Sequence, residues 1–111
     1  MILSKKRRVD KDGEYLGHDS YRWWCPGCDM AHQYIVGAGE GPRWTFNGKM
    51  DVSVVDGKRE GPTFTPSLLN SRPGHRCHLF MADGRIQFLG DCEHSLAGQT
   101  VDMVPVPEWL Q

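Results

Sequence analysis

The sequence predicts a mainly β fold, small and rich in turns, with at most one or two short helices. Val, Ile, Phe and Trp fall in short runs broken by turn formers, with 13 Gly and 7 Pro in 111 residues. Two apolar-rich runs flank Asp83–Gly84, a dipeptide suited to a type I′ turn, where both central residues need positive φ. No stretch carries the periodicity of a long helix.

The chain length fits one domain. Residues 1–20 carry charge with little periodicity and are expected to be a partly ordered N-terminal segment, a ragged strand or a tail. Residues 21–104 hold the domain. Tyr21–Trp24 reads as a strand entering Cys25–Pro26–Gly27–Cys28, and Met30–Val36 as its return. Trp44–Phe46 is a short strand ending at Asn47–Gly48, and Met50–Val55 another before Asp56–Gly57. Thr63–Thr65, bracketed by Pro62 and Pro66, is extended and suits an edge or a crossing loop. Asn70–His75 is a polar turn region. Glu93–Leu96 is expected to form one helical turn and Thr100–Val104 the last strand. Residues 105–111 form a tail, with Trp109 expected to be pinned to the core.

If the loop of the central hairpin is Asp83–Gly84, counting outward pairs Ala82 with Arg85, Met81 with Ile86, Leu79 with Phe88 and Cys77 with Gly90. Alternation then puts Cys77, Leu79, Met81, Ile86, Phe88 and Cys92 on one face. His78, Phe80, Gln87, Leu89 and Asp91 share the other. Cys77 and Cys92 become diagonal neighbours, as do His78 and Asp91; such pairs lie about 7–8 Å apart.

A formal net charge of −1 provides no field to draw in nucleic acid or an anionic membrane. The basic run Lys5–Arg8 reads as a solvated N-terminus rather than a nucleic-acid patch, and no apolar segment follows it to make a secretory signal. No apolar run is long enough to span a bilayer. A reducing, cytoplasmic compartment is therefore expected, where disulfides are rare and four cysteines are better used on a metal.

Cys25-x-x-Cys28 between two strands, joined by Cys77 and Cys92 from the hairpin, offers four soft ligands. Thiolates favour tetrahedral zinc, and a closed four-Cys site is structural. The second pair is not a CxxC, and the hairpin brings it together instead. A histidine could replace one cysteine, with His32, His78 and His94 as candidates. A zinc-deaminase reading fails because the chain has no His-x-Glu. A thioredoxin-like reading fails because no βαβ pattern surrounds the CxxC.

With the cysteines on metal, the histidines are spare. Ser67 could act as a nucleophile with His78 as base and Asp91 as its orienter, or with His94 as a competing base. On spacing alone the plainer reading is stronger: a serine after proline at a turn, and a strand histidine bonded to its neighbours.

Several motifs together resemble a known family. They are Cys25–Cys28 with His32, Trp44-x-Phe46–Asn47–Gly48, Pro62–Leu69, Cys77–His78-x-Phe80, Asp83–Leu89, and Asp91–Cys92-x-His94-x-Leu96–Val101. Over residues 21–104 they resemble a small family common in phage genomes and often labelled "ammonia monooxygenase", a name without chemical support in these residues. That family is similar to the BubE peptidases of bacterial ubiquitin-like conjugation operons. The resemblance implies a zinc-stabilised serine peptidase cleaving after the C-terminus of a ubiquitin-like protein. Ser67 would be the nucleophile, His78 or His94 the base, Asp91 the orienter, and Cys25, Cys28, Cys77 and Cys92 the structural zinc ligands. The expected partner is a protein, ubiquitin-like in that reading, met in the cytoplasm of a bacterial host. The alternative is a non-enzymatic, zinc-ribbon-like phage module that captures a host protein through aromatics such as Trp44.

Overall fold

The computed structural model describes every residue, 1–111. Ten strands account for nearly all its regular structure: β1 (Ser4–Val9), β2 (Tyr15–Cys25), β3 (Met30–Gly37), β4 (Thr45–Phe46), β5 (Ser53–Val55), β6 (Lys58–Glu60), β7 (Phe64–Arg72), β8 (His75–Ala82), β9 (Arg85–Phe88) and β10 (Thr100–Asp102). The one helical element is a 3₁₀ turn, Glu108–Leu110. No helix is long and apolar enough to cross a membrane. The mainly β expectation therefore holds.

The strands make three antiparallel sheets, ordered β1-β2-β3, β10-β9-β8-β7-β4 and β5-β6. The first two turn their apolar faces to a shared core. Leu3, Tyr21, Trp23 and Tyr34 come from one side, and Phe64, Leu68, Leu79, Met81, Ile86 and Phe88 from the other. Alternation sets this pattern, since only every second residue of each strand points inward. Tyr34 stacks on Phe64 with ring centroids 4.1 Å apart, and Phe64 on Phe46 at 4.4 Å.

The central hairpin pairs Ala82 with Arg85, Met81 with Ile86 and Leu79 with Phe88, as its turn dipeptide predicts. Asp83 and Gly84 have φ of 50° and 74°. A Cβ at Gly84 would meet the Val52 side chain as well as the left-handed backbone. Gly84→Ala is expected to cost about 1–2 kcal/mol and several degrees of Tm. An unchanged thermal melt would contradict this turn geometry.

Elsewhere the structure corrects the sequence reading. Cys77 does not pair with Gly90, because the ladder ends at Phe88 and the chain turns, with Cys92 N–H donating to the Leu89 carbonyl at 3.2 Å. Residues 93–96 form turns rather than a helical turn. Thr63–Thr65 leads into the long strand β7, which lies between β4 and β8 at Phe64–Thr65 and is an edge from Pro66 onward. Asn70–His75 is mostly strand, folded back at Pro73–Gly74. The ragged first strand expected within residues 1–20 is present as β1, whose register shifts between Arg7 and Val9, and the first half of β2 also lies there. In the tail, Leu110 is the buried anchor, while Trp109 lies 75 % exposed against Trp24. The chain end is held here by one backbone bond, Val106 N–H to the Met1 carbonyl at 2.7 Å, and one side-chain bond, the Arg22 guanidinium to the Leu110 carbonyl at 3.0 Å.

Candidate active site and metal centre

Strand β7 does not run straight beside β8. Phe64 faces Met81 and Leu68 faces Leu79, so Thr65, Pro66 and Ser67 together oppose Phe80 alone. Proline suits such a bulge because it has no N–H to give to a ladder. Beyond the bulge, Leu69 faces His78, and Ser67, two residues earlier, lies on the same side. The Ser67 hydroxyl reaches His78 Nε2 at 3.2 Å. On the other side of the ring, His78 Nδ1 lies 3.2 Å from Asp91 Oδ2. With Nδ1–H donating to the carboxylate, Nε2 is left as an acceptor for the serine proton. His78 is partly exposed and Asp91 more so, at 27 % and 43 % of the side chain. The line of three groups opens to solvent on the outer face of the sheet.

A serine, an imidazole and a carboxylate in line at hydrogen-bonding distance match the geometry that acyl transfer through a serine ester uses. His94, the competing base, lies elsewhere. Its Nε2 is 3.4 Å from Cys77 Sγ, its Nδ1 accepts from Leu96 N–H, and its ring packs edge-on against Phe88. A Cβ on Gly27 would strike the His94 ring, so only glycine lets the knuckle lie under it.

The thiols gather on the opposite, buried face of β8. One donor atom each from Cys25, Cys28, His32 and Cys77 lies within 4.8 Å of all the others. Cys25 and Cys77 sulfurs are 3.9 Å apart, and Cys28 N–H points at Cys25 Sγ, 3.4 Å away. No disulfide forms. Cys92, expected as the fourth ligand, falls in a second cluster with Cys77 and His94. Its sulfur donates to the His78 carbonyl at 3.1 Å and accepts from His78 N–H at 3.2 Å.

The electrostatics of this cluster fit a cation. A thiol hydrogen bond from Cys77 holds the Cys25 thiol down to about 4. Burial pushes Cys28 up to about 11. The bond to the Cys25 thiolate, together with burial, pushes Cys77 above the ordinary thiol range. Three close sulfurs cannot all ionise unless a cation takes the place of the protons between them. His32 adds a second sign. It is buried, and its Nε2 has no partner in the protein. Its Nδ1 lies 2.9 Å from the Asn70 amide. As placed, the amide nitrogen donates to Nδ1, which leaves the ring proton on Nε2; with the amide turned so that its oxygen accepts from Nδ1–H, the Nε2 lone pair is free for a metal.

Two of these residues escaped the sequence reading. His75 Nε2 sits 3.0 Å from Cys28 Sγ. The signal was its spacing, two residues before Cys77 on one strand face, and Pro73–Gly74 as the true turn. Asn70 could not be found from sequence, because its link to His32 joins two sheets.

No curated protein and no solved structure matches the chain. Residues 3–89 match the family model described as the bacterial ubiquitination-like system serine protease (BubE). That match spans most of the chain, the bulged serine and its histidine included, and the protein belongs to the BubE family.

Proposed function

We propose that the protein is a serine peptidase, stabilised by zinc, that cleaves after the C-terminus of a ubiquitin-like protein. The observation that carries this is the chain of contacts from Ser67 through His78 to Asp91 in a member of a family described as serine proteases of a ubiquitination-like system. Ser67 Oγ attacks the scissile carbonyl carbon while its proton passes to His78 Nε2. Asp91 holds the ring and stabilises the imidazolium. When the tetrahedral adduct collapses, the leaving group departs with the proton from His78. Water then repeats the sequence on the ester and regenerates Ser67.

The metal's role in this reading is mechanical. Cys25, Cys28, Cys77 and His32 are the best-clustered ligand set, and three cysteines with one histidine make a closed tetrahedral site typical of structural zinc. Cys77 precedes His78, and Cys92 grips the His78 backbone from both sides. The base is therefore fixed to the part of β8 that the metal would anchor.

A fluorophosphonate probe tests the nucleophile directly. The expected result is a single adduct on the peptide containing Ser67; an adduct elsewhere, or none, rejects the assignment. Asp91→Asn should lower kcat by about 10²–10⁴-fold with little change in KM, because it alters the histidine's tautomer and charge stabilisation without removing a substrate contact. Steady-state cleavage of a ubiquitin-like protein fused through its C-terminus to a reporter would measure both constants. A raised KM at constant kcat would move Asp91 out of the triad.

A further inference from the structure

Strands β3 and β7 approach each other without pairing. β3 forms a ladder with β2 only, with one further backbone bond, Trp44 N–H to the Ile35 carbonyl at 3.0 Å. Beyond Thr65, β7 is bonded to β8 only. Between these two edges lies a cavity of about 330 Å³ lined by both strands. The directions of the backbone groups there follow from antiparallel alternation. On β8, His78 and Arg76 use their carbonyls toward the β9 side, accepting from Leu89 and Glu93 N–H. The pairs facing them, Leu69 and Ser71, therefore aim their own N–H and C=O away from β8, into the cavity. On β3, the Ile35 carbonyl accepts from Trp44 N–H on the side away from β2. Ala31 and Gln33, of the same parity, aim theirs into the cavity from the opposite wall.

The chain itself shows what fits such a slot. Trp44–Phe46 already lies between the same two strands, bonded to Ile35 on one side and to Phe64 and Thr65 on the other. Its indole closes the slot at one end by donating to the Ser67 carbonyl at 3.2 Å. The open part begins at Leu68, the residue after Ser67, and continues along Leu69, which is 54 % exposed.

Building on the serine-peptidase reading, we infer that the slot between Ala31–Gln33 and Leu69–Ser71 binds the substrate's C-terminal tail as an added strand. The tail would be paired on both sides and would deliver its last carbonyl to Ser67. Main-chain pairing supplies affinity for an extended segment whatever its side chains, and the pockets on either face supply preference. The outer face next to the slot carries Arg22 and Gln33, paired neighbours on β2 and β3. The Arg22 guanidinium donates from one nitrogen to the Leu110 carbonyl, and its Nε has no partner in the protein.

The test is a backbone N-methyl scan on the wild-type protein. The probe is an internally quenched peptide, the best cleaved of a positional library, methylated at one amide at a time on the N-terminal side of the cleaved bond. The expected result is a loss of about tenfold or more in kcat/KM at each of two or three consecutive residues, with tolerance beyond them. A flat scan, or no cleavage of any short peptide, while Ser67 still reacts with a fluorophosphonate, overturns the slot and leaves the nucleophile standing. If Ser67 does not react, the peptidase reading fails and the slot as its substrate channel fails with it.

Discussion

Ser67→Ala is expected to lower hydrolysis by about 10⁴–10⁶-fold while leaving the fold and the metal content unchanged. The size follows from the role. A serine attack that loses its oxygen leaves no ester path, and only binding and positioning remain to act on water. The fold should be indifferent because Ser67 lies in a bulge and is only partly buried. Its side chain makes one bond, to His78, and its carbonyl, which holds Trp44, is retained in alanine. The loss of one partly exposed hydrogen bond costs about 0.5–1.5 kcal/mol, too little to unfold a domain. The measurement is cleavage of the reporter fusion together with a thermal melt and elemental analysis. Retained cleavage with an intact fold would remove Ser67 from the chemistry and place the nucleophile elsewhere, whereas no cleavage by the wild type would favour the non-enzymatic module, in which the exposed aromatics do the work.

The parts of this arrangement set by local rules were legible in the sequence. Asp83–Gly84 fixed the hairpin register, and alternation then placed Cys77 and His78 on opposite faces of one strand. That single step separates the thiol cluster from the polar constellation, and it put His78 diagonal to Asp91. What depended on irregular backbone was not legible. The bulge at Thr65–Ser67 adds two residues to β7 relative to β8, and no periodicity reports an added residue. Without it Ser67 could not be placed against His78. The ladder ends at Phe88 and leaves Cys92 on a turn, yet its sulfur still lies within 4.8 Å of Cys77 Sγ, the neighbour that the diagonal count gave it. Links between sheets, such as Asn70 to His32, lie beyond any local rule, since they depend on how two sheets pack.

Removal of the metal is expected to unfold the domain, and removal of one cysteine ligand to do the same. The core supports this expectation. Cys25 and Cys77 are fully buried, and they join β2 of one sheet to β8 of the other. Without a cation the three close sulfurs must hold protons between them in place of a metal, and the bonds that tie β2 to β8 are lost. Zinc bound by small structural sites contributes an apparent 10–16 kcal/mol or so, as much as the whole stability of a typical domain, about 5–15 kcal/mol. Cys25→Ser should therefore abolish the cooperative melt, and a strong chelator should collapse the wild-type far-UV signal, with recovery on adding zinc. The fourth ligand can be read from the same assay. His32→Ala should weaken zinc binding severely, and Asn70→Ala by about 10–100-fold through loss of the ring's orientation. Cys92→Ala should spare metal affinity and slow catalysis instead, because its sulfur holds the backbone of His78. If Cys92→Ala loses the metal while His32→Ala keeps it, the four-cysteine site is the true one. If the protein melts normally in chelator, the thiols are no more than a buried cluster and the fixing of His78 must come from the sheet alone.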